Sequence, residues 1–311
     1  MKPEVLLVSP LHAATQAELE STYAVHRLWD VNSREAGLDT VAPRVAVIVT
    51  TGGAGASRAL MERLPNLRLV ACFGVGVDAI DLAAARARGV AVTNTPDVLT
   101  DDVADLAIAL MLDAMRGISA GDRYVRAGRW LRGGFPLQTR ASGKRLGIVG
   151  MGRIGQAIAR RAAAFDMRIA WHGPRAKELP YRHEPDLLKL ANDVDVLVAA
   201  CPGGEATRGL ISRQVLEALG PRGFFVNIAR GSVVDEQALV GLLAAGGLAG
   251  AGLDVFVDEP NVPPELLALD NVVLQPHVAS ATQETRAAMG RLVLDNVAAY
   301  AAGQPLLTPV Q

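Results

Sequence analysis

The chain reads as an α/β protein with two domains, each built on a parallel sheet of the Rossmann-like or flavodoxin-like kind. Three observations carry that reading. Short apolar runs alternate with helical patterns through residues 1–97 and again from residue 145 onward, the rhythm of parallel strands joined by crossover helices. A glycine turn, Gly150-Met151-Gly152-Arg153-Ile154-Gly155, lies between a strand-like run and a helical stretch. The 311 residues, 50% of them hydrophobic, are enough for a large core and suit two domains rather than one.

In the first series, residues 5–8, 45–49, 69–72 and 90–93 are apolar runs of strand length, and 57–64 and 81–88 carry helical patterns between them. Asn94-Thr95-Pro96-Asp97 is a turn. A long helix is expected next, with Thr100 as its N-cap and Asp101 and Asp102 near the positive end of its dipole. Val103, Leu106, Ala107, Leu110 and Met111 recur at helical spacing, so one face should be buried. Residues 126–142, with several glycines, Trp130 and Pro136, read as loop. The second series runs strand 145–149, the glycine turn, helix 156–165, strand 168–172 and strand 194–200. Further buried runs follow at 223–228, 249–256 and 272–274. The tail, 282–301, is helical, with Met289, Leu292, Val293 and Val297 on one face.

Composition removes several function classes. A net charge of −1 offers no basic surface for nucleic acid or an anionic membrane. Val5-Leu6-Leu7-Val8 followed by Ser-Pro is too short for the apolar core of a signal peptide. The most apolar helical stretch, 103–115, is interrupted by Asp105 and Asp113, so no membrane span is expected. The two cysteines, Cys72 and Cys201, each sit in an apolar run, which fits reduced buried thiols and the cytosol. No metal site is expected.

The glycine turn has the context that gives such a motif meaning: a strand before it, a helix after it, and a second strand ending about 20 residues on. Gly150 permits the tight turn, Gly152 the approach of a pyrophosphate, and Gly155 close packing of helix on strand. The helix N-terminus then offers N–H groups and a positive dipole end to phosphates. An NAD site usually ends its second strand with Asp or Glu for the ribose 2′-hydroxyl. Here that end reads Trp171-His172-Gly173-Pro174-Arg175-Ala176-Lys177, with no carboxylate before Glu178. Arg175, with Lys177 near it, could meet a 2′-phosphate instead, so NADP is expected over NAD. The plainer alternative is a solvated basic turn that binds NAD less selectively.

Arg230, Glu259 and His277 each follow one of the buried runs, in Asn227-Ile228-Ala229-Arg230-Gly231, Asp258-Glu259-Pro260 and Gln275-Pro276-His277. Strand ends of a parallel sheet open onto the ligand crevice. Singly, these residues would be a turn cation, a loop carboxylate and one of five histidines (His12, His26, His172, His183, His277). Together they suit reduction of a 2-oxo acid. The cation holds the substrate carboxylate, the imidazolium protonates the carbonyl oxygen, and the carboxylate favours the charged imidazole. Asp235 and Glu236 are better explained as helix-start residues.

These motifs, with Gly252-Leu253-Asp254-Val255-Phe256, resemble the D-2-hydroxyacid dehydrogenase family across nearly the whole chain. The branch it is most similar to is that of glyoxylate/hydroxypyruvate reductase and its hydroxyphenylpyruvate reductase relatives, on residues 92–104, 277–286 and 305–310. The resemblance implies a cofactor domain, 99–282, inserted into a substrate domain of 1–98 plus 283–311. It implies that Val75, Gly76 and Ser280 line the substrate pocket with Arg230. It implies that Asp254 faces the nicotinamide, that Cys201 and Pro202 lie on the adenosine side, and that Thr100, Arg153, Ile154, Gly173, Thr207, Ile228 and Ala229 complete the cofactor site. It also implies a homodimer formed through the long helix and the loop near Trp130. Two departures from the family pattern are Ala279, where many relatives carry glycine, and Pro174, where NADP-linked relatives often carry arginine. The expected activity is NADPH-preferring reduction of glyoxylate and hydroxypyruvate to D-2-hydroxy acids. The rivals are an NAD-linked dehydrogenase with a bulkier, hydroxyphenylpyruvate-like substrate and a dinucleotide-sensing protein of corepressor type.

Overall fold

The computed structural model describes residues 3–30 and 34–310. In chain order the elements are β1 (Glu4–Leu7), α1 (Ala13–Thr22), β2 (Ala24–Arg27), α2 (Arg34–Val41), β3 (Val45–Thr51), α3 (Arg58–Glu62), β4 (Leu69–Phe73), α4 (Leu82–Ala87) and β5 (Ala91–Thr93). There follow α5 (Thr100–Arg116), α6 (Ile118–Arg126), β6 (Arg145–Val149), α7 (Arg153–Ala163), β7 (Arg168–His172), β8 (Arg182–His183), α8 (Leu187–Asp193), β9 (Val196–Ala199) and α9 (Arg213–Leu219). The last are β10 (Phe224–Asn227), α10 (Glu236–Ala244), β11 (Gly250–Leu253), α11 (Pro264–Leu267), β12 (Val272–Leu274) and α12 (Gln283–Ala301). Two compact units result: Met1–Leu99 with Ser280–Gln311, and the inserted Thr100–Ala279.

Unit 1 holds a five-stranded sheet in the order β2-β1-β3-β4-β5, with every pairing parallel. This is the flavodoxin-like order. Val45, Val47, Ile48 and Val49 of β3 are all buried, because helices cover both faces of such a sheet and its strands read as continuous apolar runs. α12 closes the unit with Met289, Val293, Leu294 and Val297 buried; Leu292 is only half-buried. Its N-cap is Thr282, which accepts a hydrogen bond from the Thr285 N–H.

Unit 2 holds a seven-stranded sheet in the order β12-β11-β10-β9-β6-β7-β8, again parallel throughout. Counted from β6, this is the Rossmann order with one strand added. Its switch point, between β6 and β9, is where ligands bind in such sheets. α5 packs on α7, β10 and β11 and buries Val103, Ala104, Ala107, Ile108, Leu110, Met111 and Met115.

Some boundaries differ from the sequence reading, for local reasons. Thr100 is the first residue of α5 rather than its cap. α7 begins at Arg153, because the end of the glycine turn already forms the helix's first turn. Gly117, at φ 61°, interrupts the long helix, and α6 resumes it through Arg126. The stretch read as loop therefore starts on a helix and contains one further short helical turn at Arg129–Leu131. Among the described residues no helix is long and apolar enough to cross a membrane.

Candidate active site

In unit 2, the turns after β10, β11 and β12 carry Arg230, Glu259 and His277. Asn227, fully buried at the end of β10, pins the first turn with its side chain. Its Oδ1 accepts from the Ala229 N–H at 3.0 Å and its Nδ2 donates to the Arg230 carbonyl at 3.0 Å. The Arg230 Nη1 donates to the Ala229 carbonyl at 2.7 Å. A Cβ on Gly231 would lie 2.0 Å from the Phe256 carbonyl carbon. Only glycine lets the Arg230 turn press against the segment that leads into Glu259.

Glu259 bonds in two directions. Its Oε1 accepts from the Phe256 N–H at 3.0 Å, and its Oε2 meets His277 Nδ1 at 2.7 Å. A carboxylate can only accept, so Nδ1 is the donor and Nε2 is left for a ligand. Burial pushes the Glu259 carboxyl up, but the His277 hydrogen bond, the Phe256 N–H and the His277 and Arg230 charges outweigh it. The net result lies below the ordinary glutamate value of 4.5. A depressed carboxyl keeps its ion pair down to lower pH, and the pair is lost as pH falls through the depressed value. In a carbon-13 NMR titration Glu259 should therefore show a midpoint below 4.5, moving back up in His277→Ala. A midpoint that is the same in both proteins would mean the pair is not formed in solution.

His277 itself is held in a left-handed backbone conformation, φ 54°, which costs roughly 1–2 kcal/mol for a residue with a side chain. Asp254 fixes it there. The His277 N–H donates to the Asp254 carbonyl at 2.9 Å. The Asp254 carboxylate accepts from the Val278 N–H at 2.7 Å and the Ala279 N–H at 3.0 Å. Asp254 is 1% exposed, and burial raises its carboxyl above the ordinary value despite those two bonds.

The glycine turn lies at the switch point, against the end of β9. Gly150 has φ 99°, and a Cβ on it would lie 2.6 Å from the backbone nitrogen of Cys201. A Cβ on Gly155 would lie 2.1 Å from the Gly150 carbonyl oxygen, whereas one on Gly152 would meet nothing within 4 Å. The turn is thus closed on its protein side and open at the N-terminus of α7, whose first N–H groups have no acceptor within the helix. That shape and polarity fit a dinucleotide pyrophosphate. Pro202 is tied to Thr207, whose Oγ1 donates to its carbonyl at 2.7 Å, and Ile228 and Ala229 are buried beside the β10 end. Burial pushes the Cys201 thiol up to about 11, which disfavours its thiolate. Gly173 is held by His183, whose Nε2 lies 3.0 Å from its carbonyl. Beyond it Arg175 is exposed, whereas the Lys177 Nζ reaches back to the Met151 carbonyl of the glycine turn at 2.7 Å.

In unit 1, Val75 and Gly76 follow β4. Their carbonyls turn inward: that of Val75 accepts from Asn94 Nδ2 at 2.9 Å, that of Gly76 from the Cys72 thiol at 3.7 Å. Their N–H groups make no backbone–backbone hydrogen bond among the described residues. Ser280 begins the returning segment of the same unit.

The profile of the D-isomer specific 2-hydroxyacid dehydrogenase NAD binding domain matches residues 108–279. The chain is 48% identical to glyoxylate/hydroxypyruvate reductase A of Arabidopsis thaliana, covering 98% of each chain. It is 47% identical to hydroxyphenylpyruvate reductase of Plectranthus scutellarioides, again covering 98% of each. The chain belongs to the D-isomer specific 2-hydroxyacid dehydrogenase family. Among solved structures, the NADPH-dependent glyoxylate/hydroxypyruvate reductase of Sinorhizobium meliloti, in complex with NADP and malonate, superposes with a TM-score of 0.92. It is 42% identical, with 100% of this chain and 97% of that chain covered.

Within this family member, the contacts of four residues that the sequence does single out escape a reading of the sequence alone. Asn227 and Gly231 lie inside a motif but act on the turn rather than on a ligand. Asp254 grips backbone 24 and 25 residues away, which no local pattern shows. Lys177 stands two residues past the arginine that first draws attention, and only its long stem, folded back, brings it to the glycine turn. Asp235 is a helix cap, accepting from the Ala238 N–H at 3.0 Å.

Proposed function

We propose that the protein reduces small 2-oxo acids, glyoxylate and hydroxypyruvate, to D-2-hydroxy acids, and that it prefers NADPH to NADH. The observation that carries this reading is the Glu259–His277 pair at 2.7 Å, set in a unit whose glycine turn fits a dinucleotide. When bound, the reduced nicotinamide supplies a hydride to the substrate C2. His277 Nε2 gives the proton to the carbonyl oxygen as it becomes a hydroxyl. Glu259 orients the ring and stabilises its positive charge. Arg230 holds the substrate carboxylate with parallel hydrogen bonds. A panel of glyoxylate, hydroxypyruvate and hydroxyphenylpyruvate with both cofactors tests the reading. kcat/KM should be highest for the two small acids with NADPH; turnover of hydroxyphenylpyruvate alone would assign the bulkier substrate instead.

For cofactor choice, Arg175 and Lys177 are the two cations beyond β7, with no acidic residue between Gly173 and Lys177 to repel a 2′-phosphate. A charge-assisted hydrogen bond contributes about 1.5–3 kcal/mol, roughly one to two decades in affinity. Arg175→Ala and Lys177→Ala should each weaken NADPH binding in a fluorescence titration by about tenfold or more. NADH binding should change less. Equal losses for the two cofactors would place both cations away from the 2′-phosphate.

We also propose a homodimer. Ile118, Val125, Trp130, Leu131 and Leu137 are between 55% and 101% exposed within one 20-residue stretch, an apolar surface that a soluble monomer rarely leaves open. Leu131→Asp should convert the dimer to monomer in sedimentation velocity; a wild-type monomer would refute the assignment. Cys72 and Cys201 are both buried and unbridged, which supports a reducing compartment, the cytosol.

A further inference from the structure

The connection from β7 to β8, residues 173–181, holds no helix, although parallel neighbours are usually joined through one. Side chains close it instead. Trp171, on β7 and 1% exposed, donates from Nε1 to the Tyr181 carbonyl at 3.3 Å. His172 Nδ1 lies 3.1 Å from the Glu184 carbonyl. His183, on the edge strand β8, reaches back with Nε2 to the Gly173 carbonyl at 3.0 Å. A carbonyl can only accept, so each of these ring nitrogens carries the proton. Pro174 and Pro180 fix φ just inside the two ends of the loop.

The His183 tie is made where the loop leaves β7. Its ring also stacks on Trp171, with the centroids 4.3 Å apart. The same indole lies against Gly173, where a Cβ would come 3.2 Å from Cζ3. Gly173 is thus held twice, by its carbonyl and by its Cα. Arg175 follows shortly after and is exposed, and Lys177 is anchored to the Met151 carbonyl of the glycine turn at 2.7 Å. An exposed cation on a loop fixed at both flanks is placed in advance for an anion, so binding does not have to order a loose loop.

We propose that His183 is a positioning residue for cofactor choice: through the Gly173 carbonyl and the Trp171 stack it holds the Arg175 turn where a cofactor 2′-phosphate is received. This rests on the NADPH preference read above and adds the residue that keeps the arginine in place. Its effect on the phosphate is exerted through Arg175 alone.

Three variants separate the parts. His183→Phe keeps an aromatic ring for Trp171 and loses the donor. His183→Gln keeps an N–H of similar reach and loses the stack. His183→Asn is too short to reach the carbonyl and leaves no apolar ring to mispack. Fluorescence titrations give Kd for NADPH and NADH, calorimetry gives Kd for adenosine 2′,5′-bisphosphate and AMP, and Tm is recorded for each protein. His183→Phe and His183→Asn should weaken NADPH and the bisphosphate by about fivefold or more, the net effect of one hydrogen bond. NADH and AMP should stay within about twofold of wild type, and His183→Gln should do so for all four ligands. In an Arg175→Ala background, His183→Phe should weaken NADPH by less than about twofold further, because the group it positions is already gone. Losses that simply add in the double variant would overturn the proposal. So would a lowered Tm with all four ligands weakened alike, the mark of a purely structural tie. If wild type binds NADPH and NADH equally, the reading of cofactor choice fails and the proposal with it. If wild type prefers NADPH and His183→Phe keeps that preference, the proposal alone fails.

Discussion

Replacing His277 with alanine is expected to lower kcat/KM for glyoxylate reduction by about 10²–10⁴-fold, the usual worth of a positioned proton donor. NADPH affinity should be nearly unchanged, because the glycine turn after β6 and the ring after β12 are separate features of the sheet. The reason for the large effect is positional. The ring is locked by Glu259 on Nδ1 at 2.7 Å. Its backbone is locked by the three bonds that reach Asp254, so no neighbouring side chain can take its place. Stopped-flow kinetics with a coupled fluorescence titration would separate the two quantities. A loss of under about tenfold would remove His277 from the role of acid.

Arg230→Ala is expected to raise KM and lower kcat together, because the carboxylate anchor also sets the angle at which the carbonyl faces the proton donor. The loss in kcat/KM should be on the order of 10²-fold or more, since a bidentate charge-assisted contact is among the stronger single hydrogen-bonding interactions. Arg230→Lys should recover only part of it, because a point charge cannot reproduce the two parallel bonds. An unchanged KM in Arg230→Ala would mean that the carboxylate is held elsewhere.

The parts of this protein that could be read from its sequence are those written in local pattern. β6, the glycine turn and β7 form one continuous signal of apolar period and obligatory glycine. His277 could be singled out because Pro276 and the run 272–274 place it at a strand end. What failed to show has a common physical cause. β2 and β8 are short edge strands with mixed polar sequences, Ala24–Arg27 and Arg182–His183, and carry too few apolar residues to announce a strand. α6 was hidden by Gly117 in front of it and by apolar side chains that face outward rather than into a core. The grip of Asp254 on residues 277–279, the fit of Gly231 under Phe256 and the return of Lys177 to Met151 are contacts between segments 23 to 26 residues apart. Periodicity has nothing to say at that range; only the stacking of neighbouring parallel strands brings those loops side by side.

The most direct test of the central claim is the fate of a label. Hydroxypyruvate is reduced with NADPH deuterated at the transferable C4 position, and the product is resolved by chiral chromatography and mass spectrometry. The account requires D-glycerate carrying one deuterium at C2, formed by wild type and nearly absent with His277→Ala. Product of the L configuration, product without deuterium at C2, or equal yield from the two proteins would contradict it.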